Sequence, residues 1–218
     1  MEISVGSVFS SKNFGSFKVI KIRSSKSVDI EFINTGYSTT VRFDTIRSGR
    51  VKDKLSPSVH GFGFIGVGEY ITSENGKNND AYLCWKRMIG RCYDPNYINS
   101  YLYAECFVCD EWANFQNFAK WYYENKPNDG GKYHLDKDIK VKGNRMYSPD
   151  TCLFVTAEEN IAAAREMEFS ALSPDGEIFV FVNLAKFCRE KGLNKSNMHK
   201  VLTGKHKSCK GWTANESI

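Results

Sequence analysis

Within residues 134–164, HLDKDIKVKGNRMYSPDTCLFVTAEENIAAA, two carboxylates stand two positions apart, Asp136 and Asp138. Side chains alternate across an extended strand, so Asp136 and Asp138 share a face with His134 while Lys137 points to the other. Hard oxygen donors in that arrangement suit Mg²⁺. The plainer reading is a solvated strand end balanced by Lys137 and Lys140, and both readings stay open. A solvated lysine is protonated at neutral pH and accepts no proton. Lys137 would need burial or neighbouring cations to bring its pKa down, and its two acidic neighbours act the other way.

The elements that must hold these residues can be read from the same stretch. YHLDKDI reads as a short strand, KVKGNRM as a turn and CLFV (152–155) as a second strand. Thr156 and Glu159 form a capping box that opens an alanine-rich helix over 156–167. This is a ββα order, in which a carboxylate leaving the first strand and a ligand from the helix could face one another across one divalent ion. Upstream, Asn79-Asp80 can cap a helix over 81–92 and Asp110 one over 111–125. Trp112, Phe115, Phe118 and Trp121 or Tyr122 recur in the second at core spacing. Cys106 and Cys109 form a CxxC, but a four-ligand zinc site needs a second pair, with only the remote Cys84, Cys92 and Cys152 to supply it.

LDKDI, GN, YSPDTC and FVTAEEN, preceded by WKRMIGRCYDP and VCDEWANFQNFAKW, together resemble the HNH endonuclease superfamily, in particular HNH-like proteins of bacteriophages, over about residues 80–165. The resemblance implies one Mg²⁺ or Mn²⁺ ion serving phosphodiester hydrolysis, with a histidine beside the acidic residue as base. Carried over residue by residue, Asp136 takes the metal carboxylate position, with Asp138 as a second candidate, and Asn160 the helical ligand position. Lys137 falls where the base histidine is expected, and Thr151 near the central Asn that braces the loop. These are two departures from the family pattern. His134 is a stand-in for the base or a surface histidine. Lys137→His would restore the family pattern and, on this reading, speed cleavage.

The tail carries a second resemblance. Pro174-Asp175-Gly176 reads as a hairpin turn, Asn183 caps LAKFCREK, Gly192-Leu193-Asn194 makes a bend and Ser196 caps NMHKVLTG. This helix-turn-helix is similar to the modular DNA-binding repeats at the C-termini of homing and phage endonucleases. Between 183 and 212 eight lysines or arginines face one acid, Glu190. Lys195, Asn197, His199 and Lys200 fit a recognition helix, while Lys205, Lys207 and Lys210 fit phosphate contacts. Phe187, Leu193, Met198, Val201, Leu202 and Trp212 read as the small core beneath.

Residues 1–58 look all-β. SFKVIKIR, SVDIEFIN and YSTTVRF are strand-like runs, with Thr35-Gly36 joining the last two, which suggests a small SH3-like module. Arg42, Arg47, Arg50, Lys52 and Lys54 on its rim are a solvated face or a phosphate-contacting one. Gly61, Gly63 and Gly66 have the spacing of a dinucleotide loop, but a polar stretch follows instead of a helix, so 59–79 reads as a flexible or extended linker.

These readings make an α+β chain: a β module (1–58), a linker (59–79), an HNH-like ββα core with aromatic helices (80–168) and a helix-turn-helix module (169–218). A net charge of +5 over 218 residues suits anionic partners, and the seven cysteines, irregularly spaced, read as reduced thiols of a cytosolic protein, in the host cytoplasm if phage-encoded. No apolar run reaches the length of a membrane span. The expected activity is metal-dependent cleavage of double-stranded DNA. The alternative is a degenerate site kept for DNA binding, or for binding a host protein in regulation or counter-defence.

Overall fold

The computed structural model describes residues 2–98, 100–166 and 169–215. The expected helix end at Met167, the boundary at 168 and the chain's last three residues lie outside these. Two compact units emerge, one of 1–130 with 135–154, the other of 131–134 with 155–218.

The first unit opens with an antiparallel meander of four strands, β1 (Val8–Ser11), β2 (Gly15–Ser24), β3 (Ser27–Phe32) and β4 (Ser38–Val41), in that spatial order. Alternation drives it: Phe17 and Val19 of β2 and Val28, Ile30 and Phe32 of β3 point inward and are fully buried. A register shift between Val19 and Lys21 inserts one extra residue, Ile20, which is left on the outer face while Ile22 turns back towards the core. Gly36, at φ 69°, supplies the left-handed turn into β4. A short helix, α1 (Phe43–Arg47), adds Ile46 to this core.

The next segment is not a free linker. Val59, Phe62, Ile65 and Tyr70 belong to the central core, Phe62 stacks on Tyr93 at 4.2 Å, and the Gln116 amide satisfies the backbone of both Ile65 and Tyr70. Gly63 is there for closeness, since a Cβ would come within 2.8 Å of Trp85 and Ile89 atoms, whereas Gly61 serves a left-handed turn at φ 71°. A two-strand hairpin, β5 (Ser73–Glu74) and β6 (Lys77–Asn78), then leads into α2 (Asp80–Tyr93), capped by Asn79 as expected.

The single helix expected over 111–125 is broken. Asp110–Ala113 form a 3₁₀ turn, and α3 (Phe115–Asn125) starts afresh with Asn114 as its cap, Oδ1 accepting from Gln116 N. The cause is non-local: Phe64 N donates to Ala113 O and Phe115 N to Phe64 O, which holds Asn114 in extended backbone. Trp112, Phe115 and Phe118 are buried outright, and Trp85 Nε1 donates to Trp112 O at 2.7 Å. Strand β7 (Phe107–Val108) runs parallel to β9 (Met146–Tyr147), which brings Tyr147 and Cys152 into the same core. Strands β8 (His134–Asp136) and β10 (Leu153–Val155) pair with each other, and the boundary between the units runs through them.

The second unit holds α4 (Ala157–Glu166), whose capping box forms as read: Glu159 N donates to Thr156 Oγ1 and Thr156 N to Glu159 Oε2. The tail is a hairpin, β11 (Phe169–Leu172) and β12 (Ile178–Phe181), followed by α5 (Leu184–Glu190) and α6 (Lys195–Leu202). Asn183 caps α5 as expected, but α6 is capped by Asn194 and not by Ser196, so Lys195 and Ser196 are its first helical residues. A strand the sequence did not announce, β13 (Thr213–Ala214), returns to pair with β11. Phe187, Met198, Val201 and Trp212 are buried in a core of their own, with Leu193 at its edge and Leu202 packed against it.

Candidate functional site

The loop after β8 is built around three side chains. Asp136 ends the strand and folds its own chain, with Oδ1 accepting from Asp138 N at 2.7 Å and Ile139 N at 2.8 Å. Oδ1 is thus spent on the turn, and the residue is half-buried. Lys137, the first residue beyond the strand, turns into the fold and is only 6% exposed. Its ammonium donates to Asp138 Oδ1 at 2.7 Å and to Asn144 O at 2.8 Å, and stands 5.7 Å above the Tyr147 ring. Burial alone would lower the Lys137 pKa. The hydrogen bond to Asp138, that carboxylate's charge and the nearby Cys106 outweigh burial and raise it.

Lys137 is held inside the fold by two hydrogen bonds, and its raised pKa favours the ammonium. Asp138 commits Oδ1 to that cation as Asp136 commits Oδ1 to two backbone amides.

Asn144 is the residue that sequence reading missed. Its Nδ2 donates to Lys137 O at 2.9 Å and to Met146 O at 2.6 Å, and its Oδ1 accepts from Met146 N. Thr151 Oγ1 donates to the same Met146 carbonyl at 2.8 Å and bonds Ser148 Oγ. A carbonyl oxygen has two lone pairs and here both are used. The signal was present in Gly143-Asn144, a turn dipeptide whose Asn commonly bonds backbone two residues on; Gly143 has φ 73°.

His134 is exposed at the start of β8. Asn160 lies in the second unit, half-buried in the second turn of α4. Among the described residues no group of three or more His, Cys, Asp or Glu side chains is arranged to hold a metal. Asp136 therefore offers a single carboxylate, a donor set that fits Mg²⁺, which keeps several waters and commonly binds through one or two carboxylates plus substrate phosphates. The thiols are poor ligands as they stand, since burial pushes Cys84, Cys92 and Cys152 up to about 12.

In the tail, Lys195, Asn197, Lys200, Lys205 and Lys207 are exposed, and His199 is half-buried. Lys210 is exposed too, and its Nζ donates to Gly192 O at 2.8 Å, bracing the bend between α5 and α6. Lys191 likewise lies 4.3 Å over the Phe179 ring.

Among the described residues, six α-helices and several small sheets define an α+β protein, and no helix is long and apolar enough to cross a membrane. No protein-family model and no curated protein matches the chain. A solved structure described as DNA binding and cleavage by the HNH homing endonuclease I-HmuI is 17% identical, over 48% of this chain and 69% of that one, with a TM-score of 0.22. A score of that size is a slight likeness and carries no residue role across.

Proposed function

We propose that the protein binds duplex DNA through its tail and hydrolyses a phosphodiester with one divalent ion and no lysine base. The observation that carries the reading is the loop after β8: a half-buried strand-end carboxylate, Asp136, in a turn fixed by its own Oδ1, Asn144 and Thr151. Asp136 is its metal carboxylate, as the sequence resemblance implies. When bound, such an ion lowers the pKa of its water and offsets charge on the leaving oxygen. Asp136 orients that chemistry, Lys137 keeps its proton and rigidifies the loop, and His134, exposed two residues before Asp136, is the side chain of this strand able to take a proton. Without a well-placed base, worth roughly 10²–10⁴-fold, turnover is slow and rises with pH. On α6, Lys195, Asn197 and Lys200 meet base edges while Lys205 and Lys207 meet phosphates.

A second reading, binding without cleavage, is favoured by one observation, the structural commitment of Lys137 at the position of the family's base. Incubation with supercoiled plasmid and Mg²⁺ or Mn²⁺ separates the two. Relaxation that depends on metal and disappears in Asp136→Ala, with DNA binding retained, supports hydrolysis. Tight duplex binding with no relaxation at any pH leaves the binding reading.

A further inference from the structure

A row of cations runs along the N-terminal module. From Arg50 to Lys54 burial alternates residue by residue: Arg50, Lys52 and Lys54 are exposed, Val51 and Asp53 buried. Specific bonds fix that alternation. Val51 sits in the module's core and its carbonyl accepts from Ser11 Oγ at 2.6 Å. Asp53, the segment's only acid, is turned inward, where Oδ2 accepts from Thr35 Oγ1 at 2.6 Å and Oδ1 from Leu55 N at 2.8 Å. Gly49, at φ 64°, opens the stretch, and its carbonyl accepts from Lys12 N at 2.9 Å. A Cβ at Gly49 would come within 3.3 Å of Lys12 Cγ, so the Lys12 stem lies against the start of the same row. Among the described residues no ion pair engages Lys12, Arg50, Lys52 or Lys54, whereas Arg42 is tied to Asp44 at 3.1 Å.

We infer that this row is a second nucleic-acid contact, which seats the phosphate backbone of a DNA strand independently of the tail. Burial that alternates residue by residue sets Arg50, Lys52 and Lys54 out from the same stretch of chain, a row of cations suited to a phosphate backbone. A line of charge matches a linear polyanion better than a flat anionic surface. Arg50 adds a planar fork able to hold one phosphate through two bonds. Because the backbone beneath is pinned to Ser11, Lys12 and Thr35, little ordering is needed on binding. The inward turn of Asp53 completes the argument, since an exposed carboxylate between Lys52 and Lys54 would repel the same phosphates. The inference rests on the reading that duplex DNA is the partner and adds a contact which that reading does not contain.

Fluorescence anisotropy with a labelled duplex across a salt series tests it in the full-length chain. The variant Arg50→Ser/Lys52→Ser/Lys54→Ser should bind about tenfold more weakly at low salt, and the slope of log affinity against log salt should shrink by about 2–3. Its thermal melt should match the wild type, because all three side chains are exposed, and Lys52→Arg/Lys54→Arg should bind as wild type does. Wild-type affinity and slope in the serine variant, while Lys195→Ser/Lys200→Ser/Lys207→Ser loses affinity, overturn this inference and leave the proposed function standing. Absence of duplex binding by the wild type overturns both. Serine substitutions that release the protein from phosphatidylserine vesicles but leave DNA binding intact also overturn it, by assigning the row to a lipid surface.

Discussion

Lys137 and Asn144 hold each other across the loop after β8: the Lys137 ammonium donates to the Asn144 carbonyl at 2.8 Å, and the Asn144 side-chain amide donates to the Lys137 carbonyl at 2.9 Å. The two bonds close the loop on itself at the point where it leaves Asp136. Charge at Lys137 is therefore a property of the loop's architecture, and its removal is felt there before it is felt by any substrate.

Lys137→Met should cost about 2 kcal/mol at neutral pH, since it strips Asn144 O and Asp138 of a buried charged donor. The sign with pH follows from the raised pKa. The folded state holds this proton more tightly than the unfolded chain, so the stabilisation is whole below about pH 10.4, the ordinary lysine value, and fades as pH climbs through the higher folded value. Urea unfolding of wild type and variant should differ at pH 7 and converge at strongly alkaline pH. A gap that widens with pH would contradict the assignment.

Lys137→His would bring the sequence closer to the HNH pattern, and from the residues alone it promises faster cleavage. The geometry reverses that expectation. The side chain at 137 points into the fold, towards Asn144 O and the Tyr147 ring, so an imidazole there meets no substrate. Plasmid relaxation per folded molecule should be no faster than wild type, and the melt should be lower.

What could be read from the sequence was whatever is decided locally. The Thr156–Glu159 capping box, the Asn79 and Asn183 caps and the hairpin at Pro174-Asp175-Gly176 all depend on residues within one turn. What escaped depends on partners far along the chain. Asn114 breaks the aromatic helix because Phe64 pairs with it, and 59–70 becomes core because Trp85, Ile89 and Gln116 wait for it. At the site the residue types were legible, but the burial of Lys137, read from the sequence as a solvated lysine, was not. Nor was the partner that fixes Lys137, since Asn144 reaches it across seven residues of turn.

Gly63→Ala tests whether 59–70 is part of the core. The added methyl would meet Ile89 Cδ1 at 2.6 Å and Trp85 Cζ2 at 2.7 Å, and overpacking of that kind costs about 1–3 kcal/mol. A free linker would accept alanine without change, so an unaltered denaturation midpoint would refute the packing.

Phe115→Ala should cost about 3–5 kcal/mol, because the ring is fully buried between Tyr82 and Trp85. Duplex affinity per folded molecule should not move. Selective loss of binding in a protein of wild-type stability would reassign the aromatic stripe to base stacking.

Lys200 and Lys210 carry the same charge in the same tail and should fail differently. Lys200 is exposed on α6, so Lys200→Met should lower duplex affinity and take up to about 0.9 from the salt slope, the most that one cation lost from the duplex interface can take, with no change in melt. Lys210 holds the Gly192 carbonyl at 2.8 Å from a left-handed backbone of φ 49°. Lys210→Met should therefore lower the stability of the tail by about 1 kcal/mol and leave the salt slope of the folded protein near its wild-type value. Anisotropy titrations at several salt concentrations, paired with chemical unfolding, read both quantities. Equal loss of slope in the two variants would place Lys210 among the phosphate contacts after all, and equal loss of stability would make Lys200 part of the fold.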